Sequence, residues 1–211
     1  MNTKSYSLAW RDLALWRGDR CLQSGLSGQL DGGQALTLRG PNGCGKTTLL
    51  RTLCGLSEPE TGDILWQNQS VRRNRADFHA HLAYAGHSNG MKGELSTREN
   101  LRFSALMRGR HTNQNELLHW LGLTRCADLP VHSLSAGQRR RAALARVLGS
   151  GAQLWIMDEP FTNLDAAGIE WLGSRFNHHL SLGGLLMIAA HQDSRIEPAR
   201  ETVLELTGGE A

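Results

Sequence analysis

Residues 40–48 read GPNGCGKTT; ALTLR (residues 35–39) precedes them and LLRTLCGL (residues 49–56) follows. The first flank is a short apolar run of strand character, and the second has helical spacing closed by Gly55. Between them, GPNGCGKT satisfies G-x-x-x-x-G-K-[ST] in the strand–loop–helix setting that gives the pattern its meaning. Gly43 and Gly45 let the backbone curl so that successive N–H groups face phosphate oxygens. Lys46 supplies positive charge to β- and γ-phosphates, Thr47 offers a hydroxyl to Mg²⁺, and the helix that begins here adds the positive end of its dipole. The candidate nucleotide loop is therefore Gly40, Pro41, Asn42, Gly43, Cys44, Gly45, Lys46, Thr47 and Thr48, and it implies binding of a nucleoside triphosphate.

Composition sets the frame around this loop. The chain has 211 residues, 40% hydrophobic and 20% charged, which suits a folded domain with a real core and excludes a disordered chain. Twenty-three Lys and Arg against 20 Asp and Glu leave a net charge of +3, too little to argue for a nucleic-acid partner. Arg72, Arg73 and Arg75 form one local basic cluster and Arg139, Arg140 and Arg141 another, both read as solvated surface. The longest apolar run, residues 185–190, is far short of the ~20 residues that span a bilayer, and MNTKSYSLAW at the N-terminus has no apolar leader region, so the chain is expected to be soluble, unexported and unable to transport anything by itself. Cys21, Cys44, Cys54 and Cys126 show neither C-x-x-C nor zinc spacing and read as free thiols. Cys44, inside the loop at a helix N-terminus, is expected to be a reactive thiol whose alkylation blocks nucleotide binding.

Strand candidates recur at residues 64–66, 81–85, 154–157, 185–190 and 202–206, separated by helical segments, which favours an α/β fold with a largely parallel sheet. Residues 96–107 and 113–121 read as helices, the first capped by Ser96 with Glu99 as its capping-box partner. The stretch from about 88 to 135 lacks strand signals and reads as a helical insertion. LWIMD (residues 154–158) ends a buried strand on an acid. Asp158 then emerges at the carboxyl end of the strand, where it suits Mg²⁺, and Glu159 beside it suits a general base for water. LSAGQ (residues 134–138) opens a helix running to Gly149; Ser135 and Gly137 there make either a second anion site or a plain N-cap.

Together these motifs resemble the ATP-binding subunits of ATP-binding cassette (ABC) transporters. LSAGQ matches the family signature, Asn163, Leu164 and Asp165 the loop after the acidic strand, and His191 the histidine after the next strand. The resemblance covers essentially the whole chain. It implies a P-loop NTPase core with an inserted helical subdomain, a single ATP-binding domain over 1–211 with the subdomain at roughly 88–135, and ATP and Mg²⁺ as cofactors. It further implies head-to-tail pairing with a second copy, so that Ser135, Gly137 and Gln138 meet nucleotide held by the other copy's loop. Thr47 and Asp158 are the implied metal residues, and Lys46, Glu159 and His191 the implied catalytic ones. Trp16 lies where an aromatic ring stacks on adenine, with core packing as its alternative role. At the position of the family's glutamine this chain has His87, which cannot donate and accept from one amide group.

GLSEPETGDILWQ, the AGH…GMKG…LSTRENL stretch and LWIMDEPFTNLD are similar to the CcmA family, the small ATP-binding subunits of the cytochrome c-maturation exporter. That likeness implies a peripheral place on the cytoplasmic face of the bacterial inner membrane, membrane subunits of the CcmB and CcmC kind, and ATP-driven haem export or haem-chaperone release. Met91, Leu95, Leu101 and Phe103 are the expected contact with such a subunit, with packing inside the lobe as the alternative for Leu101 and Phe103. An ATPase for another small substrate, an ABC ATPase acting on nucleic acid, and a nucleotide-gated scaffold with blunted hydrolysis are the competing readings. The pair His178 and His179 is expected on a solvated helix face rather than on haem, and no C-x-x-C-H occurs.

Overall fold

The computed structural model describes residues 6–86, 90–107 and 114–207. The chain runs β1 (Ser7–Arg17), β2 (Arg20–Asp31), β3 (Ala35–Arg39), α1 (Lys46–Leu53), β4 (Thr61–Trp66), β5 (Gln69–Ser70), α2 (Arg75–His81) and β6 (Leu82–Ala85). It continues through α3 (Thr97–Leu106), α4 (Gln114–Trp120), α5 (Ala136–Leu148), β7 (Leu154–Asp158), α6 (Ala166–Ser181), β8 (Leu185–Ala189) and β9 (Glu201–Glu205). Among the described residues no helix is long and apolar enough to cross a membrane.

Five strands form a parallel sheet in the order β6-β7-β8-β3-β9. Its central strands are apolar on both faces because both faces are covered. Leu154 and Ile156 of β7 and Leu185 and Met187 of β8 join one core with α1 and the second sheet. Their alternate neighbours, Trp155, Met157, Leu186 and Ile188, join another core with α5 and α6. The period of two thus sends each strand's side chains into two separate cores.

The second sheet, β2-β1-β4-β5, is antiparallel, and the expectation of a largely parallel architecture did not contain it. Leu22, Leu26 and Leu30 of β2 recur every fourth residue, a spacing that fits a helix face as well as a strand face. In β1 the alternation is broken by register shifts around Asp12, which itself has φ 50°. Gly28 is required where β2 passes β1: a Cβ there would lie 2.4 Å from the Trp10 indole.

Between β6 and α5 the described residues hold α3, α4 and two short 3₁₀ turns, with one isolated bridge, Ser96 to Pro130. Ser96 accepts from the Glu99 N–H while Glu99 accepts from the Ser96 N–H, the expected capping box. Leu101 lies in the core at 4% exposure, which removes it from any partner contact, whereas Phe103 and Met107 stand exposed.

Two expectations are corrected by burial. His178 is exposed, but His179 faces inward, stacked on Trp155 with ring centroids 3.8 Å apart. Gly184 makes room for its ring, and burial pushes its pKa down to about 4, against hydrogen bonds with Leu185 and Gln153 that favour the charged form. Cys44 is 3% exposed, with Sγ against Gly40, so it belongs to the core and is not an open thiol.

Two outcomes follow from this packing. His179 is neutral in the fold and protonates in the unfolded chain near pH 6.5, so its contribution is complete above that pH and is lost as pH falls toward 4, on the order of 3 kcal/mol. Urea unfolding of wild type and His179→Gln between pH 7.5 and 4 is expected to show that extra loss in wild type alone. Brief maleimide treatment of the folded protein, mapped by peptide mass, is expected to label the half-buried Cys21 and to reach Cys44 only after unfolding.

Candidate nucleotide and catalytic site

Strands β3, β7 and β8 are parallel, so their carboxyl ends lie on one edge of the sheet, and each releases a polar segment there. From β3 comes the glycine loop. Gly40, Gly43 and Gly45 have φ of 136°, 81° and 108°, values open to glycine and costly for other residues. At Gly40 a Cβ would also lie 2.2 Å from the Leu206 carbonyl oxygen, so both conformation and space demand glycine. Pro41, Asn42 and Gly43 are exposed at the loop's crest, while Cys44 and Gly45 turn inward. Among the described residues the backbone N–H groups of Gly43, Gly45, Lys46 and Thr47 have no hydrogen-bond partner, so they form a set of free donors at the start of α1. Lys46 is buried, 7% exposed, and its ammonium donates to the carbonyls of Gly40 at 2.6 Å and Pro41 at 3.0 Å, which fixes it over the loop.

From β7 come Asp158 and Glu159. The Thr47 hydroxyl donates to Asp158 Oδ2 at 2.7 Å, bringing together two residues 111 positions apart. This pair of hard oxygen donors suits Mg²⁺, a cation bound through one or two carboxylate or hydroxyl groups together with substrate phosphates. Glu159 has φ 49°, a left-handed backbone that costs a residue with a side chain roughly 1–2 kcal/mol. Its half-exposed carboxylate lies 3.7 Å from His191 Nε2, on the segment that leaves β8, and accepts from the Thr162 hydroxyl at 3.4 Å.

These groups border two neighbouring cavities. The larger, of about 700 Å³, is lined by Trp16, Arg17, Thr47, Thr48, Arg140, Asp158 and Glu159 among others. The smaller, of about 170 Å³, lies along Asn42, Gly43, Gly45 and Lys46 and shares Arg17, Thr47, Thr48 and Glu159 with the first. Trp16 is 47% exposed on the larger cavity's wall, which excludes the core-packing alternative for this ring.

Ser135, Gly137 and Gln138 line neither cavity. Ser135 is the N-cap of α5, its hydroxyl accepting from the Gln138 N–H while the Gln138 side chain accepts from the Ser135 N–H. The N-cap alternative is therefore real, and the cap leaves Ser135 exposed at the tip of the helix. Gly137 faces Asn163 of the loop after β7, 3.8 Å from where its Cβ would be, and Asp165 in that loop caps α6 through Gly168. His87 lies outside the described residues.

The basic cluster at Arg139, Arg140 and Arg141 is not a solvated face. Arg139 donates to the Leu134 carbonyl at 2.6 Å, and Arg140 reaches the carbonyls of Gly86 and Glu159. Burial lowers the pKa of Arg140, while the charges of Asp158 and Glu159 oppose that shift. Arg17 and Arg140 were missed as site residues. Arg17 had a signal, its place beside Trp16; Arg140 had only its place on the helix that LSAGQ opens.

Comparison with known proteins follows the same lines. The sequence profile of the family described as ABC transporter matches residues 23–162. The cytochrome c biogenesis ATP-binding export protein CcmA 2 of Salmonella paratyphi A is 45% identical over 203 residues, covering 95% of this chain and 97% of that protein. CcmA of Escherichia coli K12 is 42% identical over 198 residues, covering 93% and 95%. CcmA of Nitrosococcus oceani is 42% identical over 188 residues, covering 89% and 87%. Among solved structures, an ATP-binding subunit of an ABC transporter superposes with a TM-score of 0.80 at 23% identity, covering 96% of this chain and 89% of that one. A cassette solved as a dimer in a post-hydrolysis state with ADP and Pi also gives 0.80, at 19% identity, covering 95% and 94%. At such identities these two structures speak for the fold, and the profile and the curated relatives speak for descent: the chain belongs to the ABC transporter family, among its cytochrome c biogenesis ATP-binding export proteins.

Proposed function

We propose that this chain is the ATP-binding and hydrolysing subunit of an exporter complex for cytochrome c maturation, turning over ATP to drive haem export or haem-chaperone release. The observation that carries the ATPase reading is the convergence of Lys46, Thr47, Asp158 and Glu159, from two distant stretches of sequence, on adjoining cavities at one sheet edge. The pathway reading rests on the curated relatives' names and on their match along nearly the whole chain.

In this reading the free N–H groups of the loop and the Lys46 ammonium bind the β- and γ-phosphates, and Trp16 offers its ring to adenine. Thr47 and Asp158 would hold Mg²⁺, which supplies positive charge to the phosphate oxygens. Glu159 accepts the proton of a water as its oxygen bonds to the γ-phosphorus and the bond to the ADP oxygen breaks. His191, in reach of the same carboxylate, orients it and donates to a γ-phosphate oxygen.

The exposed cap of α5 supports pairing with a second copy. Ser135 is exposed and, like Gly137 and Gln138, lines neither cavity beside the chain's own Lys46, which suits this helix N-terminus to a nucleotide held elsewhere. A cavity of about 600 Å³ lined by Tyr6, His79, Phe103, Met107 and Gln153 supports docking of membrane subunits of the CcmB and CcmC kind. Exposed Phe103 and Met107 offer it an apolar wall, and the complex would hold the chain at the cytoplasmic face of the inner membrane.

The direct test is Glu159→Gln. Phosphate release is expected to fall about 10²–10⁴-fold with ATP affinity retained, and cytochrome c assembly in cells to fail with it. Assembly that survives loss of turnover would leave the chain a nucleotide-gated scaffold. Lys46→Ala is expected to abolish ATP binding, and Trp16→Ala to weaken it about tenfold, as loss of one stacked ring should; fluorescence titration with an ATP analogue measures both.

A further inference from the structure

Glu159 holds a backbone conformation that its side chain disfavours, so something outside the residue must keep it there. Its N–H donates to the Ala189 carbonyl at 2.8 Å. Its carbonyl accepts from the Thr162 N–H at 3.3 Å, within the same turn, and from Arg140 Nη2 at 3.3 Å, from a different element. The other end of the same guanidinium, Nη1, donates to the carbonyl of Gly86, the residue after β6. Arg140 is half-buried on the wall of the larger cavity, beside Thr47, Asp158 and Glu159. It leaves α5 five positions after the cap residue Ser135. One planar fork therefore ties three segments together: the helix that LSAGQ opens, the end of β6 and the turn after β7.

We infer that Arg140 is a positioning residue for ATP hydrolysis, holding Glu159 in its left-handed conformation and locking the N-terminal half of α5 to the backbone turn that carries the carboxylate that activates water. The inference rests on the role given to Glu159 under the proposed function. Its consequence is mechanical. Any shift of α5, such as seating Ser135 and Gly137 on a second copy's nucleotide, pulls on the peptide group of this chain's own Glu159. Arginine suits the task because its fixed fork reaches two carbonyls at once, whereas a lysine ammonium on a flexible stem satisfies one of them at a time.

The test compares wild type with R140M and R140K by steady-state ATP hydrolysis, titration with a fluorescent ATP analogue, and thermal unfolding. In both variants kcat is expected to fall about tenfold or more, as misplacement of a catalytic group does, while KM and nucleotide affinity stay within about twofold and the unfolding midpoint holds. Should R140M aggregate, R140K carries the test, since it keeps charge and length. Wild-type kcat in R140M, full rescue in R140K, or a loss of kcat matched by loss of nucleotide affinity or of thermal stability would each overturn the inference. A wild-type chain that binds ATP without hydrolysing it would sink the proposed function and this inference with it. An active wild type beside an equally active R140M sinks the inference alone.

Discussion

Everything at the site depends on three neighbouring strands, β7, β8 and β3, being buried on both faces and running in the same direction. Water is excluded from their lengths, so polar groups can emerge only where the strands stop, and parallel pairing makes all three stop at one edge. The glycine loop, the Asp158–Glu159 pair and the His191 segment meet there without direct help from sequence proximity. The 2.7 Å contact between Thr47 and Asp158 is the clearest product of that geometry. A one-residue slip of β7 against β8 would reverse which of its side chains enter which core, so the two cores on either side of the sheet also fix the register that aims the site.

The legible parts of the sequence were those where chemistry and local conformation demand the same residues. The glycine loop is one, because only glycine tolerates its backbone and only a lysine and a hydroxyl serve the phosphates. The uninterrupted apolar strands are another, and so is the Ser96–Glu99 capping box. Residues 64–66 of β4 were legible as a strand, but β1 and β2 of the antiparallel sheet were not, because Leu22, Leu26 and Leu30 satisfy two periods at once and because the bulge at Asp12 hides the alternation of β1. The burial of His179 was hidden for a different reason. Its partner Trp155 is 24 positions away, and no local pattern distinguishes it from its exposed neighbour His178.

The basic run at Arg139, Arg140 and Arg141 shows the same limit at the site itself. Charge runs on helices usually face water, and counting charges gives no sign of a carbonyl waiting across a cavity. Here the backbone carbonyls of Leu134, Gly86 and Glu159 accept from the first two guanidinium groups. The helix that begins at Ser135 is thus stitched at its start to loops of the parallel sheet. Its exposed cap and its anchored side belong to one rigid element.

The left-handed turn at Glu159 sets stability against chemistry at a single residue. Glycine or asparagine would relieve the backbone there at little cost, and selection for a more robust fold alone would drift toward either. Neither carries a carboxylate. The fold is therefore held slightly above its own optimum by the residue it most needs, and a laboratory lineage evolved only for heat tolerance should shed its turnover at this position early.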